Sequence, residues 1–348
     1  MLATRPVTND RKLIRKEGTM QGKIALEEHF ATPETLNDSA GYLPDSCWNE
    51  LSERLLDIHE KRLHLMDRHG IEMMLLSLNA PTIQAIPDVA RANEIARRAN
   101  DFLAEQVGKR PARFQAFAAL PMQDADLAIR ELERCVKTLG FKGALVNGFS
   151  QVRDENTAVY LDLPQYLPFW ETVEKLDVPF YLHPRNPLPG MAQIYEGHPW
   201  LLGPTWAFGQ ETAVHALRLM CSGLFDRYPR LQIILGHMGE GLPYSMWRVD
   251  NRNAWTKAKP RYPAKKKIAE YFLQNFYITT SGNFRTQTLI DAILELGVDR
   301  VLFSTDWPFE NIDHAADWFD VASISENDRR KIGRENATRL FNLNLDSN

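Results

Sequence analysis

Cysteine is scarce: three residues in 348 (Cys47, Cys135 and Cys221), widely separated and with no CxxC pair. An odd, scattered set excludes a disulfide framework and a cysteine-built zinc site, and it suits a reducing, cytoplasmic setting. Positive charge is not in excess either, with 41 basic against 45 acidic residues and a formal net charge of −4. That balance argues against a general nucleic-acid binder. No stretch approaches the roughly 18 consecutive apolar residues of a membrane span, so no membrane partner is expected. Internal repeats and low-complexity tracts are also missing. What remains is 44% hydrophobic and 25% charged, the composition of an ordinary globular protein.

The first twenty residues stand apart. They hold five basic and two acidic residues with little apolar content. A secretory signal needs an apolar core of about 7–15 residues, which is absent here. Residues 1–20 are therefore expected to be a disordered or vector-derived extension, and residues 21–348 to form the folded unit.

From residue 22 onward, short β-rich runs alternate with helical stretches. The strand candidates are Lys23–Leu26, Met73–Leu78, Phe114–Ala119, Ala144–Val146, Val178–Leu182, Leu231–Leu235, Phe276–Thr280 and Val301–Phe303. Most are continuous and apolar, as strands buried on both faces should be. Helical spacing appears at Leu51–His69, Asp88–Gly108, Asp124–Leu139, Thr286–Leu296 and Glu326–Leu340. Eight strands alternating with helices predict an α/β fold, a single (β/α)8 TIM-type barrel with loop insertions. A doubly wound dinucleotide fold would carry a glycine-rich phosphate loop after its first strand. LEEHF stands there instead, so no organic cofactor is expected. Leu188–Gly209, rich in Pro, Gly and Trp, reads as a long loop over one end, and Asp250–Lys267 as a solvated excursion.

In such barrels the chemistry lies at the C-terminal ends of the strands. Strand 1 runs into Glu27, Glu28 and His29, and alternation places Glu27 and His29 on one face. Strand 5 ends at His183, strand 6 at Gly236-His237, and strand 8 at Asp306. Each residue alone has an ordinary packing or ion-pairing explanation. Together they form an O/N donor set suited to one divalent metal ion, Zn²⁺ or Mn²⁺. The other six histidines fall in helical patterns or loops and are expected to be structural.

The strings GKIALEEHF (22–30), GALVNGFSQ (143–151), YLHPRNP (181–187), ILGHMGEGLPYSMWR (234–248) and FSTDWPFE (303–310) resemble the amidohydrolase superfamily. Within it they look like the decarboxylase branch that includes aminocarboxymuconate-semialdehyde decarboxylase. The resemblance runs from Met20 to the C-terminus. It implies that Glu27, His29, His183 and Asp306 hold one metal ion, with His237 beside it and Glu240 orienting His237. It further implies that Arg248 and Asn147 border the substrate, while Trp307 and Phe309 supply ring contacts. The implied reaction is non-oxidative decarboxylation of an ortho-hydroxybenzoate such as 2,6-dihydroxybenzoate, a small aromatic carboxylic acid, with Asp306 protonating the ring carbon from a raised pKa. The implied assembly is a homo-oligomer, a tetramer by resemblance. Two other readings stay open on the residues alone: a metal-dependent hydrolase of a lactone or cyclic amide, and a non-catalytic barrel that binds an aromatic acid.

Overall fold

The computed structural model describes residues 18–42, 45–255 and 262–345. Most of the N-terminal extension and the middle of the 250–267 excursion lie outside them. Eight parallel strands follow one another in chain order: β1 (Lys23–Phe30), β2 (Ile71–Leu78), β3 (Phe114–Ala116), β4 (Ala144–Asn147), β5 (Phe180–His183), β6 (Ile233–Leu235), β7 (Phe276–Thr279) and β8 (Val301–Leu302). β1 to β3 pair in one ladder and β4 to β8 in another, both parallel throughout. A single bridge, Ala118 to Ala144, links the two ladders on one side.

On the other side β8 meets β1 without a ladder. Ser304 Oγ accepts from the N–H groups of Leu26 (3.3 Å) and Glu27 (2.7 Å), and the His29 N–H donates to the Trp307 carbonyl (2.6 Å). Helices flank the strands, as the short connections of an (β/α)8 chain require. No described helix is long and apolar enough to cross a membrane.

The barrel interior is packed by Ile24, Leu26, Leu75, Phe117, Leu145, Tyr181, Ile234, Tyr277 and Leu302. The C-terminal residues Ala337, Phe341 and Leu343 join this cluster. A larger apolar shell, including Ala25, Met74, Phe180 and Leu235, faces the helices. Strand 1 breaks its own alternation between these layers. Ala25 pairs with Met74 but Glu28 with Leu76, so β1 spends three steps where β2 spends two. This bulge lets Leu26 and Glu27 both face the interior, where strict alternation would have separated them.

Several expectations change at the boundaries. β1 continues past Leu26 to Phe30, because the polar residues after Leu26 find buried partners rather than ending the strand. The 51–69 stretch is two helices, Asp45–Leu56 and Lys61–Arg68. Asp57 interrupts it by accepting from the N–H groups of Glu60 and Arg62 (3.0 and 2.8 Å). The 188–209 loop contains four short 3₁₀ turns and feeds a helix, Ala207–Cys221. Asp250 does not sit in a solvated excursion. It lies within the helix Leu242–Trp255 and accepts from the N–H groups of Ile268 and Ala269, which begin the next helix.

Candidate metal centre and active site

Four strand ends bring their side chains to one point above the apolar interior. Glu27 and His29 come from the bulged end of β1, His183 from the last position of β5, and Asp306 from the loop after β8. His183 Nε2 lies 3.2 Å from Glu27 Oε1, and His29 Nε2 lies 3.3 Å from Asp306 Oδ1. His237, in the turn after β6, places Nε2 3.6 Å from both Glu27 Oε1 and Asp306 Oδ2. Glu28 points the other way, into the seam between β8 and β1.

The donor atoms are prepared for a ligand. His183 Nδ1 donates to the Pro184 carbonyl (3.0 Å), leaving Nε2 bare towards the site. His29 Nδ1 lies 3.1 Å from Ser77 Oγ, which orients that ring in the same way. Glu27 Oε1 and His29 Nε2 are fully buried and have no hydrogen-bond partner. Buried polar atoms without partners are costly, and two lone-pair donors brought this close to one another fit a divalent cation between them. The groups Glu27–His29–His183 and Glu27–His237–Asp306 each converge within metal-ligating distance.

The charges lock together. Burial alone would push the Glu27 carboxyl up, yet the imidazoles of His237, His183 and His29 hold it far below the usual range. His237 lies well above the ordinary histidine value; burial opposes this, and the Glu240 and Glu27 carboxylates override it. Its Nδ1 donates to Glu240 Oε1 at 2.7 Å. Asp306 is the mirror case, with burial outweighed by contacts to His237 and His29, so its carboxyl sits below its usual value.

Backbone strain concentrates at the same two turns. His237, Met238, Glu240 and Asp306 all adopt left-handed conformations, with φ between +52° and +62°. Non-glycine residues held there mark places where the surroundings over-determine the chain.

A cavity of about 120 Å³ opens beside the cluster, walled by Ala80, His183, Pro184, Pro204, Phe208, His237, Asp306, Phe309 and Glu310. Phe309 packs edge-on against His29, with ring centroids 5.5 Å apart. A wider groove shares His237, Phe208 and Pro204 and runs past Trp206 and Tyr244 to the surface.

The remaining expected residues divide. Phe309 lines the cavity. Asn147 is buried beside His183 in the β4–β5 register but does not line it; its Nδ2 donates to the Pro81 carbonyl (3.3 Å). Trp307 is buried behind the turn, its backbone N–H donating to Glu28 and its ring beneath the Arg54 guanidinium, and it does not line the cavity. Arg248 is exposed on the helix Leu242–Trp255 and lines neither cavity, because the helix turns that face outward. Missing from the sequence reading were Ala80, Pro204 and Glu310 of the cavity, and the hydroxyls of Tyr181, Thr279 and Ser281 behind Glu27. Apart from Glu310, which stands in the FSTDWPFE string, none is a ligand type, and residue type alone did not single them out.

A family model described as "Amidohydrolase" matches residues 29–343. The gamma-resorcylate decarboxylase of Polaromonas sp. (strain JS666) is 75% identical over 325 residues, covering 93% of this chain and 100% of that protein. A crystal structure of a dihydroxybenzoic acid decarboxylase from Polaromonas sp. JS666 contains bound manganese and the inhibitor 2-nitroresorcinol. It superposes with a TM-score of 0.91 at 74% identity, covering 94% of this chain and 98% of that one. A crystal structure of a 2,6-dihydroxybenzoate decarboxylase complexed with 2,6-dihydroxybenzoate gives a TM-score of 0.91 at 73% identity, covering 93% and 100% of the two chains.

Proposed function

This chain belongs to the amidohydrolase family, and on that premise we propose that it catalyses the metal-dependent, non-oxidative, reversible decarboxylation of 2,6-dihydroxybenzoate to resorcinol and CO₂. The observation that carries this reading is the small cavity with two phenylalanine rings and two prolines that shares His183, His237 and Asp306 with the donor cluster.

Direct cleavage of an arene carboxylate would leave an aryl carbanion with no place for its electron pair. Protonating the ring carbon first avoids this, because the ortho phenolic oxygen supplies the electron density and loss of CO₂ then restores aromaticity. A divalent ion, Mn²⁺ in this reading, would be held by Glu27, His29, His183 and Asp306 and would neutralise the carboxylate and ortho oxygen in one geometry. Asp306 borders both the cluster and the cavity, which suits it to pass a proton to the ring. His237 Nε2 lies 3.6 Å from Asp306 Oδ2, and Glu240 holds the imidazole in place beside it. Phe309 and Phe208 position the ring and exclude water.

An ionised Asp306 would also serve a hydrolase, so the deciding experiment compares products. Incubation with a panel of hydroxybenzoates and lactones, followed by mass spectrometry, should show loss of CO₂ from 2,6-dihydroxybenzoate and no addition of water to any lactone. Lactone hydrolysis without decarboxylation would overturn the reading.

Residues 21–348 are taken as one catalytic unit, cytoplasmic and assembled as a homotetramer. In support, the described cysteines are all free, and Trp206, Tyr244 and Trp247 leave a large aromatic surface beside the groove. A second copy could cover that surface. No substrate contact is assigned to Arg248 within a single chain.

A further inference from the structure

Beneath the donor cluster, the second oxygen of Glu27 is enclosed by hydroxyl groups. Tyr181 Oη and Ser281 Oγ both donate to Glu27 Oε2 in short hydrogen bonds, and Thr279 Oγ1 lies 3.3 Å from the same atom. We propose that Tyr181, Thr279 and Ser281 are positioning residues of the metal centre, presenting Glu27 to the ion through Oε1 alone and tying it to the His237 backbone. The proposal rests on the metal-centre reading above.

The direction of the network follows from proton counting, since each hydroxyl has one proton to give. Ser281 Oγ accepts the His237 N–H at 3.1 Å, and its own proton is thus free for Glu27. Thr279 Oγ1 lies 2.7 Å from Ser281 Oγ and 3.0 Å from Tyr181 Oη. With Tyr181 committed to Glu27, the closer Ser281 oxygen is the natural acceptor for Thr279. Oε2 thus receives two donors while Oε1 receives none. A carboxylate whose one oxygen is occupied in this way cannot chelate through both, and its torsion is fixed before any ion arrives.

Space for the arrangement is reserved just after β6. A Cβ on Gly236 would fall 2.8 Å from Glu27 Oε2 and 3.2 Å from Tyr181 Oη. Tyr181 precedes the ligand His183 by two residues on β5, so the same inward face carries a ligand and its neighbour's support. Ser281 adds a second connection: one hydroxyl couples the Glu27 carboxylate to the backbone of His237, which is held at φ +52°.

The test is Mn²⁺ titration of metal-free full-length protein by competition with a chelating fluorophore, with thermal melts of the same samples. Groups that orient a metal ligand from behind typically change affinity ten- to hundred-fold. Tyr181→Phe and Ser281→Ala, each removing one hydroxyl, should raise the Mn²⁺ Kd by roughly ten-fold or more. Ser281→Thr should restore it. At saturating Mn²⁺, Tyr181→Phe should recover its kcat, whereas Ser281→Ala should keep a kcat deficit at unchanged KM because the His237 N–H has lost its acceptor. If either substitution unfolds the chain, the other carries the measurement. Wild-type affinity in a folded Ser281→Ala or Tyr181→Phe variant overturns the proposal. A wild-type protein that takes up no Mn²⁺ overturns the metal centre itself, an outcome distinct from the first.

Discussion

Glu28 holds both hydrogen-bond donors of Thr305: its carboxylate accepts the Thr305 N–H at 2.8 Å and Oγ1–H at 2.6 Å. It also accepts from the Trp307 N–H at 3.3 Å, so one buried side chain grips the backbone on either side of Asp306. Burial pushes the Glu28 carboxyl up to about 7, against the pull of the Thr305 hydrogen bonds and the Arg62 guanidinium. Replacing it by alanine leaves buried donors without acceptors and the left-handed turn at Asp306 unsupported. Glu28→Ala should lose about 3–5 kcal/mol of stability in urea denaturation. An unshifted midpoint would show that the turn supports itself.

Metal removal should act on folding as well as turnover. Chelation is expected to abolish decarboxylation, and Mn²⁺ to restore it. An ion that binds only the folded chain stabilises it by about 2.7 kcal/mol at a hundred-fold excess over its Kd. Thermal melting should therefore rise with Mn²⁺ concentration in the wild type and much less in Glu27→Gln. Full activity in a verified metal-free preparation would contradict the assignment.

Asp306→Asn should still bind substrate but lower kcat by at least about 100-fold, the usual contribution of a positioned acid. The sharper measurement is solvent deuterium entering the product ring. Exchange at the wild-type rate in this variant would remove Asp306 from the proton path.

His215 provides a pH dependence unrelated to the metal. It is fully buried, and its Nε2 accepts the Leu161 N–H at 3.1 Å. Burial, with Arg218 nearby, depresses its value from 6.5 to about 3. Below pH 6.5 the unfolded chain binds a proton that the folded chain refuses. The stability contributed is thus intact above 6.5 and is lost as pH falls towards 3, by up to about 1.4 kcal/mol per unit. His215→Gln should flatten urea midpoints measured across this window, and an unchanged slope would assign the acid sensitivity elsewhere.

Gly236→Ala tests space alone, because φ at this position is an ordinary −73°. The added methyl would press on Glu27 Oε2 and Oε1 (2.8 and 3.1 Å). Mn²⁺ affinity should fall by about ten-fold or more, with little change in the melting of the metal-free protein.

Much of this architecture is written locally. Apolar β runs buried on both faces have few alternatives, and Asp88 and Asp124, read as helix starts, do cap their helices by accepting from Arg91 and Leu127. The ligand types were legible because Glu, His and Asp interrupt apolar strands at the same end. Trp307 and Arg248 were not legible in the same way. Whether a side chain faces a cavity, a neighbouring helix or solvent depends on how its element is rotated against the rest, and a motif does not record that rotation.

The sequence by itself determined the strand count, the polar ends of β1, β5, β6 and β8, and the donor set they supply, since each follows from residue type and spacing along one segment. Tertiary structure alone decided the bulge that turns Leu26 and Glu27 to the same side, the hydroxyl network around Glu27 Oε2, and the grip of Glu28 on the Asp306 turn. Each of these depends on groups up to about 280 residues apart in the chain meeting in a buried space, where a missing partner is costly and a neighbouring charge is strong.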